Sequence, residues 1–368
     1  MSPIHSAIPR VTASIDLSAL KHNLGCVREH APHSRVMAAV KADGYGHGAI
    51  PVARALVDAG VDALAVACLD EAAVLRAAGI AAPIVLLEGV LSEEEAREAA
   101  RLHLQIVVHD PHQLELLESL QDAALSVWFK IDTGMHRLGF APTAVPILSE
   151  ALGHRPAWNF CGWMTHLACA EETGNRMSLR QIALFDEVLG DRPGARSIAN
   201  SAALLVWAES RRDWVRPGLM LYGASPLTGR VGTELGLKPV MTLESRLLSI
   251  HDVPPGETIG YGATYRCERM MRIGVVTAGY ADGVLRSLPS RTPTLIRGRR
   301  APMVGRVSMD MITVDLSEVP DAKVGDSVKL WGTDLPVEEI ARYAGTLAYE
   351  LFCGLTRRVR FVYQDGVR

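Results

Sequence analysis

Residues 35–48 have the sequence RVMAAVKADGYGHG, an apolar run that ends in a lysine and continues into a turn with three glycines. The apolar run has the length and composition of a buried strand. Lys41 ends that strand, so the strand fixes the direction of its amine, and the glycines let the backbone approach a ligand closely. A lysine in this setting can form a Schiff base with a carbonyl compound. The segment therefore suggests the cofactor pyridoxal 5′-phosphate.

Two other interpretations of this segment stay open at this point. Glycines after a strand can form a dinucleotide-binding loop, although the spacing here is not G-x-G-x-x-G and no acidic residue is evidently placed for a ribose. A lysine after a strand is also most often a solvated surface group. The rest of the chain has to decide among the three interpretations.

The composition is that of a globular protein that acts on small molecules. The chain has 368 residues, of which 48% are hydrophobic, enough for two domains or for a barrel with an extension. Its 38 Lys and Arg residues against 41 Asp and Glu give a net charge of -3, so no basic field attracts nucleic acid or a membrane. We find no signal peptide and no membrane-spanning run, and expect a cytoplasmic protein.

The cysteines and histidines indicate neither disulfides nor a metal site. The six cysteines are scattered through apolar segments without a C-x-x-C pair, which is typical of reduced thiols. His109 and His112 are the closest suggestive pair of histidines, and no H-E-x-x-H motif occurs. We expect no metal.

Apolar runs alternate with amphipathic segments from Arg35 to Gly223. The candidate strands are residues 35–41, 63–67, 84–88, 105–109, 126–132, 160–167, 196–200 and 214–222. Segments between them, such as 70–78 and 92–100, have helical spacing with a C-cap glycine or a serine N-cap. Eight such units with nearly continuous apolar strands predict an α/β fold, a closed (β/α)8 TIM-type barrel, preceded by an amphipathic helix at residues 17–29.

The pattern changes after about Gly236. Strand-like runs separated by tight turns occur at residues 241–250, 272–277, 292–296, 311–316 and 327–331. They predict a mostly β domain, with one helix at 337–343 and a last strand at 359–363. We therefore expect the barrel at residues 11–235 and the β domain at residues 236–368, on which residues 1–10 could pack.

Polar residues stand at the ends of the predicted barrel strands. They are Lys41 after the first strand, Lys130, Asp132 and Arg137 at and beyond the fifth, His166 at the sixth, Asn200 and Ser201 after the seventh, and Arg216 in the eighth. Catalytic groups of such barrels come from the C-terminal ends of the strands. This regular placement favours an active site over scattered surface residues.

Eight segments in order carry a resemblance to a known family. They are residues 40–48, 130–139, 165–168, 199–201, 216–223, 260–265, 279–283 and 305–310. Together they resemble the alanine racemases, fold-type III pyridoxal-phosphate enzymes with a barrel and a C-terminal β domain. The resemblance implies that the chain interconverts L-alanine and D-alanine, for peptidoglycan synthesis or alanine catabolism, as a homodimer with shared active sites. Only residues 357–361 depart from the family pattern, by lacking a proline, and they lie away from the motifs.

The resemblance also assigns the cofactor site. Lys41 would carry the cofactor, and the residues that would hold it are Tyr45, Arg137, Asn200, Ser201, Arg216, Tyr349 and the backbone of Gly218 and Leu219. Hydroxyls and backbone N–H groups suit a phosphate, which commonly binds after strands seven and eight of a barrel. Arg216 would face the pyridine nitrogen and, because a guanidinium keeps its proton, would leave that nitrogen unprotonated.

Racemisation removes a proton from one face of Cα and returns one to the other, so two bases are needed. The resemblance implies Lys41 as one base and Tyr261, from the second subunit, as the other. A cation has to stabilise the tyrosine as a phenolate, and His166, linked to Arg216, would take that role.

Three further residues would bind or orient the substrate according to the resemblance. Arg137 would pair with the substrate carboxylate, Met309 would bind it through a backbone N–H, and Tyr265 would line the entry. Lys130 matches a lysine that is carbamylated in many family members and orients the arginine. Alternatively, Lys130 is an ordinary lysine whose charge is neutralised by Asp132.

Three rival functions share parts of this pattern. A fold-type III decarboxylase has the barrel and the lysine, but it benefits from a protonated ring, which Arg216 disfavours. A non-catalytic pyridoxal-phosphate carrier would not need the β domain with Tyr261 and Met309. A class I aldolase would leave Arg137 and Asn200 without a purpose.

Overall fold

The computed structural model describes residues 9–120, 124–155 and 157–365. These residues form two compact units. The barrel unit comprises residues 20–221 and 225–230, and the β unit comprises the described residues up to 19, residues 222–224 and residues from 231 onward. Residues 1–8, most of the segment expected to pack on the β domain, lie outside the described residues.

The first elements are strand β1 (Thr12–Asp16) and helix α1 (Leu17–His30). Burial alternates along β1, as in a strand with one face against a core. Asp16 ends the strand and caps the helix, because its Oδ1 accepts the backbone N–H groups of Ser18 (2.8 Å) and Ala19 (3.0 Å).

Eight parallel strands close the predicted barrel. They are β2 (Arg35–Ala39), β3 (Ala63–Val66), β4 (Ile84–Leu86), β5 (Gln105–Val108), β6 (Leu125–Lys130), β7 (Trp158–Met164), β8 (Ala195–Asn200) and β9 (Trp214–Arg216). The ring closes where β9 pairs with β2, with Arg35 opposite Trp214. The (β/α)8 prediction is therefore confirmed.

A single apolar cluster takes buried side chains from most of these strands. Its buried members are Met37, Ala63, Ala65, Val85, Val107, Trp128, Met164 and Trp214. The rings of Trp128 and Trp214 meet edge to face at 6.0 Å. Large side chains such as Trp128 and small ones such as Ala63 share this cluster, so side chains fill the interior of the barrel.

The helices of the barrel unit follow its strands. They are α2 (Lys41–Gly46), α3 (Ala49–Asp58), α4 (Leu69–Ala77), α5 (Glu93–Arg101), α6 (Pro111–Glu118), α7 (Val145–Gly153), α8 (Met177–Leu189) and α9 (Ser201–Val206). Ser92 caps α5 as predicted, accepting the N–H of Glu95 at 3.2 Å. In the described part of the chain, no helix combines the length and the apolar composition needed to cross a bilayer.

The β unit is built on one long strand. Its elements are β10 (Met241–Val253), β11 (Thr258–Ile259), β12 (Tyr265–Arg266), β13 (Met271–Val276), β14 (Pro293–Ile296), β15 (Arg299–Pro302), β16 (Ile312–Asp315), β17 (Ser327–Trp331), α10 (Val337–Ala344), α11 (Ala348–Cys353) and β18 (Arg360–Gln364). The long strand β10 pairs with β1, β13 and β17. Helix α10 matches the predicted helix, whereas α11 was not predicted.

Strand β1 makes the structure divide the chain differently from the expected boundaries of 11–235 and 236–368. Ala13 pairs with Leu243 of β10 on one side and with Phe361 of β18 on the other. Both hydrogen-bonding edges of β1 are thus used inside the β unit. Pairing between residues more than 200 positions apart leaves no local signal in the sequence.

Replacing Gly162 by alanine tests the packing between β7 and β8. An added Cβ would lie 2.1 Å from the carbonyl oxygen of Ala195, and Gly162 has a φ of +149°. We expect Gly162→Ala to lower the free energy of unfolding by about 2–3 kcal/mol, because the backbone of Ala195 cannot easily move away from the added Cβ.

Gly25→Ala is the matched control, because nothing lies within 4 Å of a Cβ at that position of α1. Alanine there should be neutral or stabilising by up to about 1 kcal/mol. Thermal denaturation measures both variants, and equal melting temperatures would contradict the proposed clash.

Candidate active site

The backbone after β2 turns in the left-handed sense. Residues 42–45 have φ values of 52°, 53°, 63° and 53°, and three of the four are not glycine. Each non-glycine residue in this conformation costs roughly 1–2 kcal/mol. Hydrogen bonds offset that strain, including Gly44 N–H to Val40 O (2.8 Å) and Gly48 N–H to Asp43 O (2.8 Å). The sequence predicted a turn after Lys41 but not its handedness.

This left-handed turn directs Tyr45 to the end of β9. Tyr45 is buried, with 8% of its surface exposed, and a Cβ at Gly218 would lie only 2.4 Å from its hydroxyl. Only glycine at position 218 leaves room for that hydroxyl. Closure of the barrel brings the two together, because the N–H of Ala39 donates to the carbonyl of Pro217 (2.9 Å).

Ser201 and Asn200 complete the same cradle. The Oγ of Ser201 accepts the N–H groups of Gly218 (2.7 Å) and Met220 (3.4 Å). Asn200 caps α9 by accepting the N–H of Ala203 at 2.9 Å. Leu219, next to Gly218, is buried. Two hydroxyls and several backbone N–H groups around a glycine suit a phosphate group.

Arg216 is a buried cation beside this cradle. Its guanidinium donates to Ser197 Oγ (2.6 Å), to the carbonyls of Thr165 (2.5 Å) and Ile198 (3.2 Å), and to His166 Nδ1 (3.4 Å). Burial lowers the pKa of Arg216 to about 10. The group therefore stays protonated at neutral pH, as the sequence argument requires.

His166, which the sequence suggested as the cation beside the tyrosine, lies in surroundings that oppose its protonation in the single chain. Burial lowers its pKa well below the usual value, and the positive charges of Arg216, Lys130, Arg137 and Lys41 lower it further. The neutral ring accepts from Arg216 through Nδ1, so its proton is on Nε2. In the single chain, the positive charge in this pair therefore lies on Arg216, and the part that His166 plays beside the tyrosine stays a prediction.

Lys130 lies among the same positive charges. Burial lowers its pKa to about 8, and Arg216, Arg137 and Lys41 contribute, whereas Asp132 opposes the shift. Asp132 is engaged elsewhere, because its Oδ1 accepts the N–H groups of residues 134–136 at 2.9–3.1 Å. Within residues 9–120, 124–155 and 157–365, Lys130 has no ion pair, which disfavours its neutralisation by Asp132.

Arg137 is exposed in the loop after β6. It lines an open cavity of about 460 Å³ together with Asp132, His136 and Leu138. His109 and His112, the pair noted in the sequence, line this cavity too, and among the described residues no cluster of potential metal ligands is found.

A network behind the site was not predicted. Gln181 of α8 donates to the carbonyl of His166 (3.1 Å), and its Oε1 accepts the N–H of Ala168 (2.9 Å). Ser197 donates to the carbonyl of Trp214 (3.0 Å) while it accepts from Arg216. These contacts fix the orientations of His166 and Arg216. No sequence signal marks such residues, because each acts across elements.

The remaining predicted site residues belong to the β unit. Tyr261 is 67% exposed in a short 3₁₀ turn, and Met309 is 53% exposed. Ser308 donates its N–H to the carbonyl of Met311 (2.9 Å), which places Met309 at the tip of a turn. Tyr349 lies on α11, and burial raises the pKa of Tyr265. Their part in the active site stays a prediction.

Arg358 corrects the expectation that residues 357–361 lie away from the motifs. Its guanidinium is 3.2 Å from Asp282 and 2.7 Å from Asp310. Asp282 in turn accepts the N–H of Gly279 at 3.0 Å. Two of the family motifs, residues 279–283 and 305–310, are therefore joined by this C-terminal arginine.

The barrel has a lysine at the end of its first strand and an anion cradle at its last strands, and a β domain follows it in the chain. These features define a class of barrel enzymes that act through a lysine amine. Comparison with known proteins identifies the family. Residues 15–226 match the model "Alanine racemase, N-terminal domain", and residues 240–363 match "Alanine racemase, C-terminal domain". The chain therefore belongs to the alanine racemase family.

Individual relatives agree over the full length. The alanine racemase of Nitrosococcus oceani is 53% identical over 350 residues, 94% of this chain and 97% of that one. The crystal structure of the biosynthetic alanine racemase of Pseudomonas aeruginosa matches with a TM-score of 0.94 and 45% identity, covering 97% and 100% of the two chains. The Bartonella henselae alanine racemase, described with covalently bound pyridoxal phosphate, matches with a TM-score of 0.89 and 28% identity, covering 97% and 100%. The resemblance seen in the sequence is confirmed.

We predict that His166 stays neutral well below pH 6.5, its ordinary pKa. Arg216→Met should raise the pKa of His166, because it removes a neighbouring positive charge, but burial should keep it below the ordinary value. Nitrogen NMR of histidine-labelled apoenzyme, with the signal assigned by His166→Gln, measures this titration. Arg54→Met, a surface change in the same unit, should leave it unchanged. A wild-type His166 that titrates at its ordinary pKa would contradict the assignment of the charge to Arg216.

Proposed function

We propose that this chain interconverts L-alanine and D-alanine by removing the α-proton on one face and returning a proton on the other. The activity, the enzyme class and the cofactor predicted from the sequence, pyridoxal 5′-phosphate, are confirmed at the level of the family. When bound, this cofactor supplies an electron sink that makes the α-proton of an amino acid acidic. The observation that carries the proposal is the cradle formed by Tyr45, Ser201 and Gly218 next to the turn that begins at Lys41.

Most of the residues that would hold the cofactor belong to the barrel unit. Lys41 would bind it covalently, and Arg216 would face its ring nitrogen. The phosphate would be held by Tyr45, Asn200, Ser201, Tyr349 and the backbone of Gly218 and Leu219. Two negative groups, the phosphate and the phenolic oxygen that Arg137 binds, offset the positive charges that lower the pKa values of Lys130 and His166.

The two bases are Lys41 and Tyr261. Tyr261 is contributed by the second chain of a homodimer, which its exposure in a single chain supports. His166 stabilises the phenolate by donating from Nε2, and Arg216 provides the positive charge behind it. This arrangement assists a tyrosine base without requiring a charged histidine.

Met309, Tyr265 and Arg137 position and select the substrate. Arg137 and the N–H of Met309 bind the carboxylate. Tyr265, Tyr349 and Met309 restrict the space for the side chain. A hydrophobic pocket rejects an added hydroxyl by only about 100-fold, so serine reacts slowly. The relative from Pseudomonas aeruginosa is named a biosynthetic alanine racemase, which favours a biosynthetic role. We propose that this role is the supply of D-alanine for peptidoglycan. The six free cysteines favour the cytoplasm.

Lys130 carries a carbamate in the active enzyme. The ammonium group first gives one proton to water, and the neutral amine then attacks carbon dioxide. An N–C bond forms, one C–O π bond opens to give a carboxylate, and the nitrogen gives a second proton to water. A cation thereby becomes an anion that can orient Arg137. The lowered pKa of about 8 makes the reactive neutral amine abundant near pH 8. The neutral fraction of any amine rises with pH, and the downward shift of the pKa brings that rise to about pH 8 instead of a more alkaline pH.

Proton exchange in heavy water tests the racemase. With L-alanine, the holoenzyme should form D-alanine that carries α-deuterium, and Lys41→Ala should lose both. Tyr261→Phe should lose inversion by about 10²–10⁴-fold, the usual contribution of one acid–base group. Tyr343→Phe, another exposed tyrosine of the β unit, is the control and should keep full activity. Deuterium without inversion in the wild type would contradict the two-base assignment. If neither D-alanine nor α-deuterium formed, the result would favour a carrier. Release of carbon dioxide would favour a decarboxylase.

Labelled bicarbonate tests Lys130. In carbon NMR with ¹³C-bicarbonate, the holoenzyme should show a carbamate signal that grows from about pH 6 to pH 8, because the pKa of Lys130 is about 8. The signal should vanish in Lys130→Ala, which should also raise the KM for alanine, and persist in Lys323→Ala. A signal that survives Lys130→Ala would assign the carbamate elsewhere.

A further inference from the structure

The left-handed turn at residues 42–45 requires support from outside itself. Three of its four residues carry a Cβ in a conformation that L-residues avoid. Such strained backbone persists only where surrounding contacts determine it. The turn lies directly between Lys41 and Tyr45, so its geometry sets the positions of both side chains.

The carboxylate of Glu71 provides that support. Its Oε1 accepts the N–H of Ala42 at 2.7 Å, and its Oε2 accepts the N–H of Ala67 at 2.8 Å. Both are hydrogen bonds to a charged acceptor, which are stronger than those between neutral groups. Glu71 lies in the first turn of α4, so one carboxylate connects the turn after Lys41, the end of β3 and the following helix.

Glu71 binds the chain just beyond the point where β2 and β3 stop pairing. The barrel strands β2 and β3 pair with Ala39 opposite Ala65, and the N–H of Val40 donates to the carbonyl of Ala65 at 2.9 Å. That regular pairing ends at Val40. Beyond it, the carboxylate of Glu71 accepts a hydrogen bond from the N–H of Ala42, the residue that follows Lys41.

We propose that Glu71 is a positioning residue for the cofactor site. Its carboxylate fixes the first amide of the left-handed turn and thereby holds the Lys41 amine and the Tyr45 hydroxyl where the cofactor binds. This inference rests on the proposed function. The ordinary alternative is that Glu71 is only an acid at a helix N-terminus, which stabilises α4 through the helix dipole.

Asp70 separates these two explanations. It is the neighbouring acid in the first turn of α4 and is exposed. Asp70→Asn removes the same charge from the same helix end without touching the turn at Lys41. A helix-dipole effect should appear in both variants, whereas a positioning effect should appear only at Glu71.

The test compares cofactor binding by wild type, Glu71→Gln and Asp70→Asn. Apoenzyme is titrated with pyridoxal 5′-phosphate, and hydrogen exchange of residues 41–48 is followed by mass spectrometry. We expect Glu71→Gln to bind the cofactor at least about ten-fold more weakly, with faster exchange at residues 41–48, because its amide NH₂ cannot accept from an N–H group. Asp70→Asn should stay within about two-fold of wild type.

A second substitution sharpens the test. Glycine adopts the left-handed conformation readily, so Ala42→Gly in the Glu71→Gln background should recover part of the lost affinity. If Glu71→Gln does not fold, Glu71→Asp takes its place, because the shorter carboxylate cannot reach both amides. Wild-type affinity in the folded Glu71 variant would overturn the inference and leave the racemase assignment intact. A wild-type chain that binds no cofactor would instead overturn the proposed function.

Discussion

The pairing of β2 with β9 closes the barrel, and the candidate site depends on it. Arg35 and Trp214 are opposite each other in this pairing, although 178 other residues separate them in the chain. The same contact brings the end of the first strand to Pro217 and Gly218. A lysine, a tyrosine hydroxyl and a glycine-containing phosphate cradle meet only because the first and last strands are neighbours.

Positive charge is the second constraint on the site. Burial lowers the pKa of His166, and the positive charges of Lys41, Lys130, Arg137 and Arg216 lower it further. Concentrating cations in a partly buried place is unfavourable unless anions are bound there. A cofactor with a phosphate and a phenolic oxygen, together with a substrate carboxylate, supplies those anions. Ligand binding and the charge balance of the fold are therefore linked in this protein.

Much of the barrel could be predicted from the sequence, because continuous apolar runs and capped amphipathic segments report on local structure. Lys41, His166 and Arg216 could be located because strand ends define a common edge. The handedness of the turn at residues 42–45 could not be predicted, since Ala42, Asp43 and Tyr45 ordinarily avoid it. Contacts made by Glu71, Gln181 and Arg358 also left no signal, because each joins distant segments. The charge of His166 depends on burial, which spacing alone does not measure.

Strand β1 has a consequence for the order in which the molecule is assembled. It lies between β10 and β18, so residues 12–15 pair with residues 241–244 on one side, and residues 12–16 pair with residues 360–364 on the other. During synthesis the early strand leaves the ribosome long before either neighbour exists, and it has to wait for them. The barrel's strands, by contrast, pair mostly with strands made just before them. Translation therefore favours completion of the barrel first, with the sheet of the β unit joined last by the two ends of the chain.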